Sequence, residues 1–90
     1  MKYQVEFTEM AKKELKKLDR HISLMITSWI RKNLEGCENP RQYGRALVAN
    51  HSGKWRYRIG DYRVLAAIQD EKITILIVTV GHRREVYEKH

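Results

Sequence analysis

Apolar and polar residues alternate at the start of the chain, with Tyr3, Val5 and Phe7 separated by Gln4 and Glu6, the period of a half-buried β-strand. The period then changes. Thr8 offers a helix N-cap and Glu9 stands where the positive end of a helix dipole favours a carboxylate, so a helix is predicted from Glu9 to Leu18. Its apolar residues Ala11, Leu15 and Leu18 lie at helical spacing, while Lys12, Lys13, Lys16 and Lys17 form a solvated outer side whose role is at most electrostatic steering. Asp19 restarts the chain as a second helix. In it Ile22, Met25, Ile26, Trp29, Ile30 and Leu34 recur at intervals of three and four until Gly36 ends it. This stripe is the main cover for a sheet, and Trp29 reads as part of the packing.

Asn39 and Pro40 break the helical pattern, and the stretch 41–54 is irregular, anchored by Leu47 and Val48, with a turn at Ser52-Gly53. A three-stranded meander follows, from Trp55 to Ile59, from Tyr62 to Gln69 and from Ile73 to Gly81. The expected fold class is α+β. A small antiparallel β-sheet is packed on one face by an N-terminal helical hairpin, all within a single domain of residues 1–90.

Gly60-Asp61, between two β-rich runs, has the chemistry of a two-residue hairpin loop, because glycine supplies the positive φ that primed turns require. That sets Ile59 opposite Tyr62 and Arg58 opposite Arg63. Side chains alternate along strands, so Arg56 shares a face with Arg58 and Arg63, while Trp55, Tyr57, Ile59, Tyr62, Val64, Ala66 and Ile68 occupy the other. Like charges directly opposite each other cost stability. An anion bridging the guanidinium forks offsets that cost, and phosphate has the matching geometry. Lys54, just before the strand, joins Arg56, Arg58 and Arg63 as a candidate phosphate contact. Pairing Ile68 with Ile73 across an Asp70-Glu71 turn would place Arg63 opposite Val78 and bring His82 onto the arginine face. Leu65, Leu76, Val78 and Val80 would then form an apolar floor with a basic rim.

Composition sharpens this picture. A formal net charge of +7 on 90 residues, with a pI near 9.8, points to a polyanionic partner, nucleic acid before an acidic protein or a membrane surface. Cys37 is the single cysteine, so an internal disulfide is excluded and a cytoplasmic setting is expected. His21, His51, His82 and His90 show no paired metal-ligand spacing, so no metal site is expected. The longest β-rich run is too short to span a bilayer as a helix, and no membrane association is expected.

The runs Gly53-x-Trp55-Arg56-Tyr57-Arg58-Ile59-Gly60-Asp61-Tyr62-Arg63-Val64 and Val80-Gly81-His82-Arg83-Arg84-Glu85-Val86-Tyr87, with the order of elements around them, resemble the RelE toxins of the RelE/ParE superfamily. The resemblance implies an endoribonuclease that cuts messenger RNA in the ribosomal A site and is silenced by a cognate antitoxin protein, with the ribosome and mRNA as its other partners. It also implies a reaction without metal or other cofactor, in which the ribose 2′-hydroxyl attacks the adjacent phosphate. The family's basic strand positions fall on Arg56 and Arg58, its hairpin arginine on Arg63, its post-strand arginine on Arg83 and its C-terminal tyrosine on Tyr87. The type member of the family has lysines at Arg56, Arg58 and His82. Arginine holds its proton too tightly for an ordinary general base, which leaves Tyr87, His82 and Glu85. Arg63 and Arg83 are expected to hold the phosphate, Tyr87 to act as base or stacking residue, and His82 to be a second proton carrier. The alternatives are a ParE-like inhibitor of DNA gyrase acting by protein contacts, and an RNA-binding module without catalysis.

Overall fold

The computed structural model describes residues 1–47 and 53–82. Val48, Ser52, Arg83, Glu85 and Tyr87, all given roles above, lie outside the described residues. Strand β1 (Gln4–Phe7) leads into helices α1 (Glu9–Lys17) and α2 (Arg20–Asn33), followed by β2 (Arg45–Ala46), β3 (Trp55–Ile59), β4 (Tyr62–Gln69) and β5 (Thr74–His82). The five strands form one sheet in the order β1-β5-β4-β3-β2. Among the described residues, only the β1–β5 pair is parallel.

Both helices start on the predicted caps. Thr8 Oγ1 accepts from Ala11 N at 3.1 Å, and an Asp19 carboxylate oxygen accepts from His21 N at 3.1 Å. Gly36, at φ +81°, follows α2 in the left-handed region. From the helices, Ala11, Ile26, Ile30 and Leu34 are fully buried against Tyr57, Ile59, Val64, Ala66, Ile75, Ile77 and Val80 of the sheet. Burying each large aliphatic side chain of α2 is worth roughly 2 kcal/mol, which makes this stripe the main attachment of helix to sheet. Met25 departs from the predicted stripe. It remains 38% exposed at the margin, where its Cε lies beside the Gly60 turn. Trp29 is half-buried, with its ring 5.8 Å from Tyr57 and 5.9 Å from Tyr43.

The sheet is larger than the expected meander, and one of its registers differs. The β3–β4 pairing is as read from the turn: Ile59 faces Tyr62 and Arg58 faces Arg63. At the next hairpin a 3-10 turn, Asp70–Lys72, and a left-handed Ile73 (φ 50°) delay the strand, so that Ile68 pairs with Ile75 instead of Ile73. That two-residue offset preserves the faces. A bulge opposite the Leu65–Ala66 step then adds Val78 to β5, since Leu65 faces Thr79 and Ala66 faces Ile77. One added residue exchanges the faces of everything beyond it. Val80 therefore turns into the core beside Val64, Gly81 stands beside Arg63, and His82 stands beside Tyr62.

The start of α1 holds this bulge. Thr8 N donates to Ile77 O at 3.0 Å, and Thr8 Oγ1, while capping the helix, donates to Val78 O at 2.8 Å. Beyond the end of β1, Glu14 covers the edge of β5 by accepting from Thr79 Oγ1 at 2.6 Å and Val80 N at 2.9 Å. The outer edge of β1 is covered in the same way, with Val5 N donating to Glu35 Oε2 at 2.6 Å. Asp70 ties distant segments together, accepting from the Tyr3 hydroxyl at 2.6 Å and from both terminal nitrogens of Arg41 at 3.0 and 2.9 Å. Among the described residues, no helix is long and apolar enough to cross a membrane.

Candidate nucleic-acid interface

Because Tyr57, Ile59, Val64 and Ala66 point toward the helices, the alternate positions of β3 and β4 form the opposite face of the sheet. There Arg58 lies directly across from Arg63, with Gly81 next in line on β5. One step along, Arg56 lies between Leu65 on one side and Arg45 of β2 on the other. Two like-charged pairs, Arg58/Arg63 and Arg45/Arg56, thus stand on neighbouring rungs of the ladder. Each is unfavourable on its own.

Beneath the guanidiniums the surface is apolar. Leu65 is 2% exposed, and Ala67 and Leu76 of the same face are half-buried. The Nε atoms of Arg56 and Arg63 are shielded from solvent, so their stems lie along this floor while Arg58 and Arg45 are exposed. Charges over a low-dielectric floor act on an anion more strongly than the same charges in open water. Among the described residues, no carboxylate forms an ion pair with Arg58. The expected floor is corrected at two positions, since Val80 belongs to the core and Val78, the bulged residue, has no partner on β4.

Arg45 was missed by the sequence reading, which treated 41–54 as irregular. Its strand is two residues long, too short to show alternation. The signal available was Gly44, which takes φ +80° and approaches β3 so closely that a Cβ there would stand 2.0 Å from the Arg56 carbonyl oxygen. Since β2 pairs only with Trp55 and Arg56, a cavity of about 420 Å³ opens beside the rest of β3, lined by Trp29, Tyr43, Gly44, Arg45, Arg56 and Arg58.

Two candidate residues are placed differently from expectation. His82 does not join the arginines: the bulge turns it to the helix-covered face, where its ring meets that of Tyr62 edge-on at 5.6 Å. Lys54 sits at the opposite end of β3 from Arg58 and lines a separate depression with Arg41, Ala46, Trp55 and Ile68. Arg83 and Tyr87 lie outside the described residues. Of the remaining titratable groups, burial holds the Tyr57 phenol well above its ordinary range, and its hydroxyl donates to Pro40 O at 2.9 Å. Burial likewise raises the Cys37 thiol, which keeps it protonated and poorly nucleophilic.

What this geometry can do is grip a polyanion along a row of arginines. The family model for the ParE toxin of type II toxin–antitoxin systems matches residues 5–87. Toxin RelG of Mycobacterium tuberculosis is 33% identical over 89 residues, covering 99% of this chain and all of the relative. The toxin of a Mycobacterium tuberculosis RelBE toxin–antitoxin complex superposes with a TM-score of 0.83 at 32% identity, over 92% of this chain and 93% of that one. A free-state mutant of Escherichia coli toxin RelE gives 0.75 at 26% identity, over 98% and 93%. The two helices on a mostly antiparallel five-stranded sheet are the fold of these toxins, and this chain belongs to the RelE/ParE superfamily of type II toxin–antitoxin toxins.

Proposed function

We propose that this toxin is an endoribonuclease that cleaves messenger RNA in the ribosomal A site and is held inactive by an antitoxin protein until released. The observation that carries the reading is the doubled like-charge pair, Arg58/Arg63 beside Arg45/Arg56, around the buried Leu65 on the face away from the helices. Such a surface lowers its own repulsion by taking up phosphate. In the proposed reaction a base removes the ribose 2′-hydroxyl proton and the oxygen attacks the adjacent phosphorus. The bond to the 5′-oxygen of the next nucleotide breaks, and that oxygen takes a proton, leaving a 2′,3′-cyclic phosphate and a 5′-hydroxyl. Negative charge builds on the non-bridging oxygens, which is where Arg58 and Arg63 would act, with Arg83 as a further cation. Tyr87 is the proposed base. Arginine at positions 56 and 58 stabilises charge but does not shuttle protons, and His82, facing Tyr62, is left out of the chemistry.

The match to the ParE toxin family favours a second reading, inhibition of DNA gyrase through protein contacts. Primer extension on a reporter message after brief induction separates the two, comparing wild type with Arg63→Ala and Tyr87→Phe at matched expression. In-frame cuts made by wild type alone, and only on translated message, are the expected result. Growth arrest with intact message and broken DNA would replace the nuclease with the gyrase inhibitor.

A further inference from the structure

We propose that the cavity at the open edge of β3 is a second nucleotide subsite, taking the base next to the phosphate held at Arg58 and Arg63, with Arg45 gripping the following phosphate. This rests on the RNA-cleaving reading and extends it. The cavity's volume, about 420 Å³, falls in the range of sites that enclose small ligands, ample for one nucleobase. Its wall combines two rings with three guanidiniums. Trp29 and Tyr43 meet edge to face at 5.9 Å and 80°, and both line the cavity, where aromatic side chains suit a planar group. Arg45, Arg56 and Arg58 share the lining, and Arg45 and Arg56 are direct cross-strand partners. Aromatic faces beside arginines are how single-stranded RNA is taken up, bases stacked and phosphates paired.

Gly44 makes the slot. Any side chain there would collide with the Arg56 carbonyl, so the wall between Tyr43 and Arg45 is bare backbone. Because β2 ends at Ala46 and pairs with no residue beyond Arg56, the edge of β3 alongside the cavity carries no partner strand among the described residues. An acidic peptide would satisfy the arginines but gain nothing from the rings, which is why RNA is the occupant assigned.

The test is equilibrium binding of a labelled single-stranded hexaribonucleotide, 2′-O-methylated throughout so that it cannot be cut, to wild type, Arg45→Ala, Tyr43→Leu and Arg63→Ala. Arg45→Ala is expected to weaken binding roughly tenfold and to lower the salt slope by about 0.7, the share of one phosphate contact. Tyr43→Leu keeps an apolar neighbour for Trp29 and is expected to weaken binding roughly fivefold with no change in slope. Arg45 is exposed, so its truncation leaves folding intact, and thermal melting checks Tyr43→Leu. Wild-type affinity in both variants, with a loss in Arg63→Ala, overturns the subsite and leaves the RNA reading standing. Absence of binding by wild type overturns the subsite, while the ribosome-dependent reading is decided separately by the primer extension. If Tyr43→Leu is silent while Arg45→Ala weakens the oligonucleotide and a polyglutamate peptide alike, the cavity is an anion surface for an acidic protein and the subsite is overturned.

Discussion

Arg58 and Arg63 face each other across adjacent strands, and a protein selected for stability alone would not keep them so. Their cost gives a test at the level of single residues. Replacing Arg58 by alanine removes the repulsion, so the free protein is expected to gain up to about 1 kcal/mol by denaturant midpoint. The same change, by removing a group that meets charge developing on phosphorus, is expected to lower cleavage of translated message by about a hundredfold. Opposite signs in the two measurements would identify a functional residue; a loss in both would make Arg58 a structural one. The grouping of Arg56, Arg58 and Arg63 was legible because strand alternation and the Gly60-Asp61 turn are local signals. Arg45 was not, because a two-residue strand has no period and its pairing with Arg56 spans eleven positions of sequence. His82 was placed on the wrong face by a single inserted residue, which no local pattern announces.

At the scale of elements, two devices shape the arginine face. The first is Thr8, whose hydroxyl both caps α1 and binds the bulged Val78 carbonyl. The bulge decides that Gly81, without a side chain, stands beside Arg63 while His82 turns away. Thr8→Val keeps the shape and removes both hydrogen bonds; it is expected to cost about 1–2 kcal/mol of stability in equilibrium unfolding. The second is Gly44. Alanine there would need a left-handed backbone and would drive its Cβ into the Arg56 carbonyl, so β2 is expected to lift from β3. The expected cost is about 1–3 kcal/mol, with accelerated hydrogen exchange at Arg45 and Ala46 as the local readout. Both helices and four of the five strands were legible from periodicity and caps. The parallel β1–β5 pair was not, since its partners lie seventy residues apart and alternation within β1 reveals a strand but not its neighbour.

For the whole molecule, Asp70 joins the N-terminal strand, the loop after α2 and the β4–β5 turn through Tyr3 and Arg41. The Arg41 fork, then the Tyr3 hydroxyl, hold its carboxyl down at about 2, below the ordinary 3.8. The same hydrogen bond raises the Tyr3 phenol above its ordinary 10.0, so it stays a donor through neutral and mildly alkaline pH. A carboxyl whose folded value is depressed contributes stability that is complete above the unfolded value and disappears as pH falls through the folded one. The stability difference between wild type and Asp70→Asn is therefore expected to be constant from about pH 5 to about pH 9 and to shrink between about pH 4 and pH 2. Denaturant unfolding across that range measures it. Because the bridge is exposed to solvent, its contribution at neutral pH should also fall with added salt, whereas the buried stripe of α2 should be indifferent to it. A difference that persists unchanged at pH 2 would mean that Asp70 acts through the geometry of the hairpin turn alone, and that the N-terminal segment and the loop after α2 are held to the sheet by packing without help from charge.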